Sequence, residues 1–302
     1  MQNENFIGRV YKYSKERFHL GQFVPLSLIL GGVLAIGTQA YFQHKLLMVP
    51  ILLSATALFL FFLRLRIFDE FKDYEHDLKH YAHRPVPRGL VSKKELGFIL
   101  VPLIILEFVI ALVSSVDGVI FFIISFVYSL LMFKEFFVRD WIKNHFTVYI
   151  ASHEVLLFPL FFYLCAINGF KITSLSNPFF WLLVLYVGSF MFLLEVARKV
   201  RSKDLEIASK DTYTAQYGIR GASLLLLVIS TVAIISLIIL MWIISLDSLF
   251  LVIISLSFMV IFVYRLYKFN RKPIPETAKK VFLSSIYFVF ISCIGTMFIL
   301  LK

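Results

Sequence analysis

Apolar residues in this chain come in long uninterrupted blocks separated by short charged stretches, with little of the two-residue or 3.6-residue alternation that marks a half-buried element. A block crosses the hydrocarbon of a bilayer when it holds roughly 20 mostly apolar residues. Nine blocks qualify: Phe23 to Phe42, Leu46 to Leu63, Leu96 to Ser115, Val119 to Phe133, Thr147 to Ile167, Phe179 to Leu194, Gly221 to Ile244, Ser248 to Tyr264 and Val281 to Leu301. The fourth and sixth are short, and their charged ends are expected to continue as helix. Nothing between the blocks reads as a linker, so the expectation is an all-α, polytopic membrane protein with residues 1–302 in one domain.

Charge orients these spans. With the N-terminus in the cytosol, 27 of the 30 Lys and Arg residues fall on cytosolic segments, leaving Lys45, Lys171 and Lys302 outside. The same asymmetry accounts for the net charge of +11 as cationic loops facing anionic lipid, without a nucleic-acid partner. Composition agrees: 60% of the 302 residues are hydrophobic, 34 are Phe and 14 Tyr, and the mean hydropathy is +0.85. The opening residues lack a short apolar core followed by a small-residue cleavage site, so no removable signal peptide is expected. Cys165 and Cys293 lie in apolar blocks and read as small buried hydrophobes, which argues against disulfides and thiolate metal sites.

The long loops share one side, so chemistry is expected on the cytosolic face. Two charged clusters stand there. The first follows the second span: Arg66, Asp69, Glu70, Lys72, Asp73 and Asp77, then Arg84-Pro-Val-Pro-Arg88-Gly. On one helix Asp69, Asp73 and Asp77 stack at i, i+4 and i+8, a repulsive arrangement that a cation would offset. Mg²⁺ takes one or two carboxylates together with waters and phosphate oxygens, so the acids point to a metal-bridged diphosphate. The second cluster follows the sixth span: Glu195, Arg198, Lys199, Arg201, Lys203, Asp204 and Glu206, then Asp211. Glu195 would complete a metal shell, and Arg198, Lys199 and Arg201 would bind phosphate oxygens. The plain alternative for both is a solvated helix end, which topology explains better for the basic second cluster than for five carboxylates within nine residues.

These residues resemble the UbiA superfamily of intramembrane prenyltransferases. Its members have nine membrane helices, an acidic box N-D-x-x-D-x-x-x-D at the end of the second, and a nearby R-P-[LIV]-P-x-G. Here the box reads Asp69-Glu70-Phe-Lys-Asp73-Tyr-Glu-His-Asp77, followed by Arg84-Pro85-Val86-Pro87-Arg88-Gly89. The resemblance implies a helix-lined cavity open sideways to lipid, in which Mg²⁺ on two acidic boxes holds a polyprenyl diphosphate. The second box departs from the pattern: Glu195 matches its first acid and Lys199 stands where the next would be. The implied metal ligands are Asp69, Glu70, Asp73, Asp77 and Glu195, with Asp73, Asp77 and Glu195 at the chemistry. Arg66, Lys72, Arg84, Lys134, Arg198, Lys199 and Arg201 are the implied diphosphate contacts.

Ionisable groups inside spans are costly and often functional. His153 and Glu154 in the fifth span are candidates to position or deprotonate an acceptor, against the plain reading of a histidine satisfied within the bundle. Glu107 in the third span has no partner that the sequence names, and Lys134 either reaches a diphosphate or extends to the headgroups. Three readings follow: a Mg²⁺-dependent prenyltransferase in a cell membrane, a terpene cyclase using the same ionisation without an acceptor, and a transporter or lipid-binding protein. Acids at the membrane edge rather than at its midplane weigh against the last.

Overall fold

The computed structural model describes residues 5–42, 45–202, 212–244 and 249–301. They form thirteen α-helices and two short 3₁₀ turns, with no strand among the described residues. The helices are α1 (Phe6–Arg17), α2 (Leu20–Tyr41), α3 (Met48–Lys72), α4 (Tyr74–His80), α5 (Lys93–Ser114), α6 (Val116–Phe133), α7 (Arg139–Lys143), α8 (Phe146–Glu154), α9 (Leu157–Ile167), α10 (Pro178–Arg198), α11 (Tyr213–Ile243), α12 (Leu249–Arg271) and α13 (Pro275–Leu300). Nine spans long and apolar enough to cross a membrane are present among the described residues, with α8 and α9 together forming the fifth. The chain divides into two compact units, 1–35 with 47–170 and 36–46 with 171–302.

Local chemistry sets the helix starts. Ser92 and Glu95 close a capping box on α5, and Ser115 caps α6 through Gly118 N–H. Asn177 caps α10 immediately before Pro178, and Thr212 caps α11. Inside the spans the outward residues are large and apolar, among them Phe98, Val113, Trp242 and Phe298. That arrangement pairs most helical N–H and C=O groups within their own helix and leaves hydrocarbon to meet lipid.

In the first unit α3 packs on α5 and α9, and α6 packs on α9 and α5. The rings of Phe121, Phe162 and Phe170 meet at 5.2–5.9 Å between centroids. Polar ties cross this core: buried Asn168 donates to the Ser54 hydroxyl at 2.7 Å. In the second unit α10 lies along α11, and α12 along α13. There the Tyr186 and Thr296 hydroxyls meet at 2.9 Å, and Phe190 sits edge-on to Phe288. Cys165 and Cys293 are buried, as their apolar surroundings imply.

Five features differ from the sequence reading. The N-terminal segment, for which the sequence reading places no element before Phe23, forms α1, which presents Phe6, Ile7 and Tyr11 outward in the manner of an interfacial helix. Arg64, counted above among loop charges, is fully buried in α3 and is the partner that Glu107 lacked. The acidic run is not one helix, because α3 ends at Lys72 and Asp73 joins it to α4. The fourth span gains its extra residues at its start, since after Phe133 the backbone turns left-handed at Glu135, Phe136 and Phe137 (φ 48°, 52° and 60°). Finally, α11 begins before its apolar block and contains Gly218 at φ 71°, ψ 171°, a conformation essentially confined to glycine. Asp247 and Lys302 lie outside the described residues.

Candidate active site

The third helix delivers the acidic run to the end of a span, and the bend at Asp73 decides which acids turn inward. Backbone bonding continues through the bend, with Asp73 N–H on Asp69 C=O at 2.9 Å and Asp77 N–H on Asp73 C=O at 2.8 Å. Glu70 and Asp77 are each only 2% exposed, whereas the Asp69 side chain is 46% exposed and lies 3.9 Å from Arg66. Asp73 is half-buried between them. Two buried carboxylates at a span end require counter-charge, and arginines supply it. Arg84, from the Arg-Pro-Val-Pro-Arg-Gly turn, donates to Asp77 Oδ1 at 2.6 Å. That turn closes at Gly89, whose φ of +77° suits a residue without a Cβ.

The second arginine comes from α1. Arg17 Nε donates to Glu70 Oε1 at 2.6 Å, and its Nη2 lies 3.8 Å from Asp77 Oδ2, so one guanidinium bridges both acids. The helix is held there at two further points: Arg9 pairs with Glu95, and Glu16 with Arg88 through bonds of 2.6 and 2.8 Å. The Arg88 guanidinium holds the Glu16 carboxyl below the usual carboxylate range. Tyr13, one turn before Arg17, is 2% exposed and lies within electrostatic reach of Glu70, Arg66, Arg17 and Asp69. Burial raises its phenol, and the Glu70 charge adds to the shift. Sequence reasoning did not single out these α1 residues. The available signal was the i, i+3, i+4 spacing of Tyr13, Glu16 and Arg17, which places them on one helix face.

A second group of charges surrounds the left-handed turn after α6. Lys72, Phe133, Lys134, Glu135 and Arg139 line an open pocket of about 260 Å³. Glu135 is buried, 3.2 Å from Arg139 and 4.0 Å from Lys72. Lys72 and Lys134 therefore share one pocket, to which the structure adds Arg139. Three consecutive non-glycine residues in the left-handed region cost on the order of 1–3 kcal/mol each, strain of the kind stored at functional sites.

His153 and Glu154 end α8 and are half-buried. His153 Nδ1 is 2.7 Å from the Tyr149 carbonyl, which can only accept, so Nδ1 is the donor of this bond. The ring lies 4.0 Å from Tyr149 and 6.3 Å from Phe136 of the strained turn. Glu107 serves a different purpose: its Oε2 accepts from Arg64 Nε at 2.7 Å, and Arg64 Nη1 donates to Ser129 at 2.6 Å. In the second unit Glu195 is held by Arg198 at 2.7 Å and Lys199 at 2.8 Å, all three partly exposed. Arg201 N–H donates to the Thr214 hydroxyl. Lys203, Asp204, Glu206 and Asp211 lie outside the described residues.

Among the described residues no three carboxylates, imidazoles or thiolates close on a single point. The donors nevertheless suit a hard divalent cation. Glu70 and Asp77 are buried oxygens around a seat of positive charge, and Mg²⁺ ordinarily takes only one or two carboxylates, completing its shell with water and phosphate.

Nine apolar spans among the described residues, with buried acids and arginines gathered at the end of one of them, define an all-α integral membrane protein. The chain belongs to the UbiA prenyltransferase family, whose model matches residues 65–294, and is by class an intramembrane prenyltransferase. Two solved structures share its fold. One, described as digeranylgeranylglyceryl phosphate synthase in membranes, is 18% identical with a TM-score of 0.64, over 98% of this chain and 99% of that one. The other, the apo form of a UbiA homolog from Aeropyrum pernix K1, is 16% identical with a TM-score of 0.66, over 90% of this chain and 96% of that one. No curated protein matches the chain at a significant level.

Proposed function

We propose that residues 1–302 act as one catalytic domain in a cell membrane, with the site on the cytosolic face. It ionises an allylic polyprenyl diphosphate and transfers the prenyl group to a lipophilic or aromatic acceptor. The observation that carries this reading is the pair of buried acids, Glu70 and Asp77, balanced by Arg17 and Arg84 at the end of an apolar span. Buried charge of both signs at a membrane edge is costly and suits a charged headgroup joined to an apolar tail.

Asp69, Glu70, Asp73 and Asp77, with Glu195, are the residues that would hold Mg²⁺, which when bound neutralises the departing diphosphate. Arg66, Lys72, Arg84 and Lys134 would stabilise the same charge as the C1–O bond breaks with both electrons passing to oxygen, and Arg198, Lys199 and Arg201 are assigned that role in the second unit. The apolar interior keeps water from the allylic cation. The acceptor then forms the new bond and loses a proton, for which His153 Nε2, with Glu154 beside it, is the base. In this chain the position of the second box's next acid is Lys199, already bound to Glu195, which favours a direct cation on the diphosphate there.

The test is diphosphate release from geranyl, farnesyl and geranylgeranyl diphosphates by the purified full chain, with and without an aromatic acceptor. Release that needs Mg²⁺ and acceptor, and that falls at least about 100-fold in Asp73→Asn and Asp77→Asn, supports the reading. Cyclic hydrocarbon without an acceptor would make the protein a terpene cyclase. No release from any of the three substrates would leave a transporter or lipid-binding protein.

A further inference from the structure

We infer that Tyr13 of α1 is a diphosphate-binding residue, its buried hydroxyl donating to an oxygen of the substrate's leaving group. The hydroxyl has no hydrogen-bond partner although the side chain is 2% exposed. Buried polar groups are almost always paired, and an orphaned donor lowers stability until an acceptor reaches it. Glu70, whose Oε1 accepts from Arg17 Nε at 2.6 Å, makes no hydrogen bond to the phenol. Charges of both signs lie within electrostatic reach of the phenol, the acids Glu70 and Asp69 and the guanidinium groups of Arg17 and Arg66, and an oxygen of an anion held by those arginines fits as the missing partner. The phenol is also firmly placed, since α1 is anchored on both sides of it by Arg9 on Glu95 and by Glu16 on Arg88. A donor fixed in position before the ligand arrives loses little freedom on binding.

This assignment rests on the prenyl diphosphate reading, and one titration separates the two. The full chain in lipid nanodiscs with Mg²⁺ is titrated with farnesyl diphosphate and, separately, with inorganic pyrophosphate. Tyr13→Phe and Tyr13→Met are expected to bind both probes about tenfold more weakly, the effect of one lost hydrogen bond to a charged group. The thermal midpoint of the ligand-free Tyr13→Phe protein is expected to equal or exceed that of the parent, because a partnerless hydroxyl has been removed. A purely structural tyrosine gives the opposite pattern, with unchanged affinity and a lowered midpoint. Parent-like affinity in both variants overturns the role of Tyr13 alone. A parent that binds neither probe overturns it together with the reading beneath it.

Discussion

Replacing Glu107 with glutamine leaves the Arg64 guanidinium charged, fully buried and without the carboxylate that balances it. In the native arrangement Nε reaches Glu107 at 2.7 Å and Nη1 reaches Ser129 at 2.6 Å, while Nη2 has no partner. The rings of Phe61, Phe68 and Phe126 lie 5.0, 5.5 and 5.0 Å from the guanidinium carbon. Breaking a buried ion pair from one side costs about 3–5 kcal/mol. Ser129 and the three ring faces remain in the variant, and an unfolded chain in a micelle also finds polar partners, so the lower end, about 3 kcal/mol, is expected. At roughly 2–4 °C per kcal/mol, the thermal midpoint should fall by about 6–12 °C. The assay is thermal unfolding in detergent, followed by tryptophan fluorescence, for Glu107→Gln, Arg64→Met and the combination of Arg64→Met with Glu107→Met. Removing both charges should return stability to within about 1 kcal/mol of the parent, because neither ion is then stranded. Below its midpoint the glutamine variant should release diphosphate at the parental rate. A midpoint within about 2 °C of the parent, or a double variant no better than the worse single, would refute the reasoning.

Two further outcomes are expected. Because Arg88 draws the Glu16 carboxyl below its unfolded value, the pair's contribution is complete above about pH 4 and disappears as pH falls through the lower folded value. Partial exposure limits it to about 0.5 kcal/mol. Amide exchange in α1, corrected for its intrinsic pH dependence, should rise below pH 4 in the parent and be already raised at pH 6 in Arg88→Gln; a flat profile in the parent would remove the pair from the account. Gly218→Ala meets no neighbour within 4 Å, so its cost is backbone strain alone, about 1–3 kcal/mol, read as a lowered thermal midpoint. A midpoint equal to the parent's would show that the kink at Gly218 is not required.

Much of the fold was legible because a bilayer reads sequence one segment at a time. A run of apolar residues spans or does not, whatever its neighbours do, so the Leu96 to Ser115 block became α5 with small shifts at its ends, and the Val281 to Leu301 block became α13, which starts earlier, at Pro275. The candidate site was legible in part for a related reason. Carboxylates clustered where an apolar run ends are locally expensive, and the expense is visible without knowing what offsets it.

What offsets it is non-local, and there the linear pattern had no purchase. Arg17 lies 53 residues from Glu70, and Arg64 lies 43 from Glu107. Spacing rules reach only across one or two turns of a helix, so such partners become neighbours only when helices pack. The same limit hid α1, whose face of Tyr13, Glu16 and Arg17 looks like an ordinary cationic tail until it docks against the acids. The amino-acid sequence thus determined that this chain spans a membrane and where it carries its charge, because transfer from water to hydrocarbon is a property of each segment alone. Only the tertiary structure decided which charges are buried together, because the electrostatic energy of a buried ion depends on whichever partner the fold brings within a few ångströms.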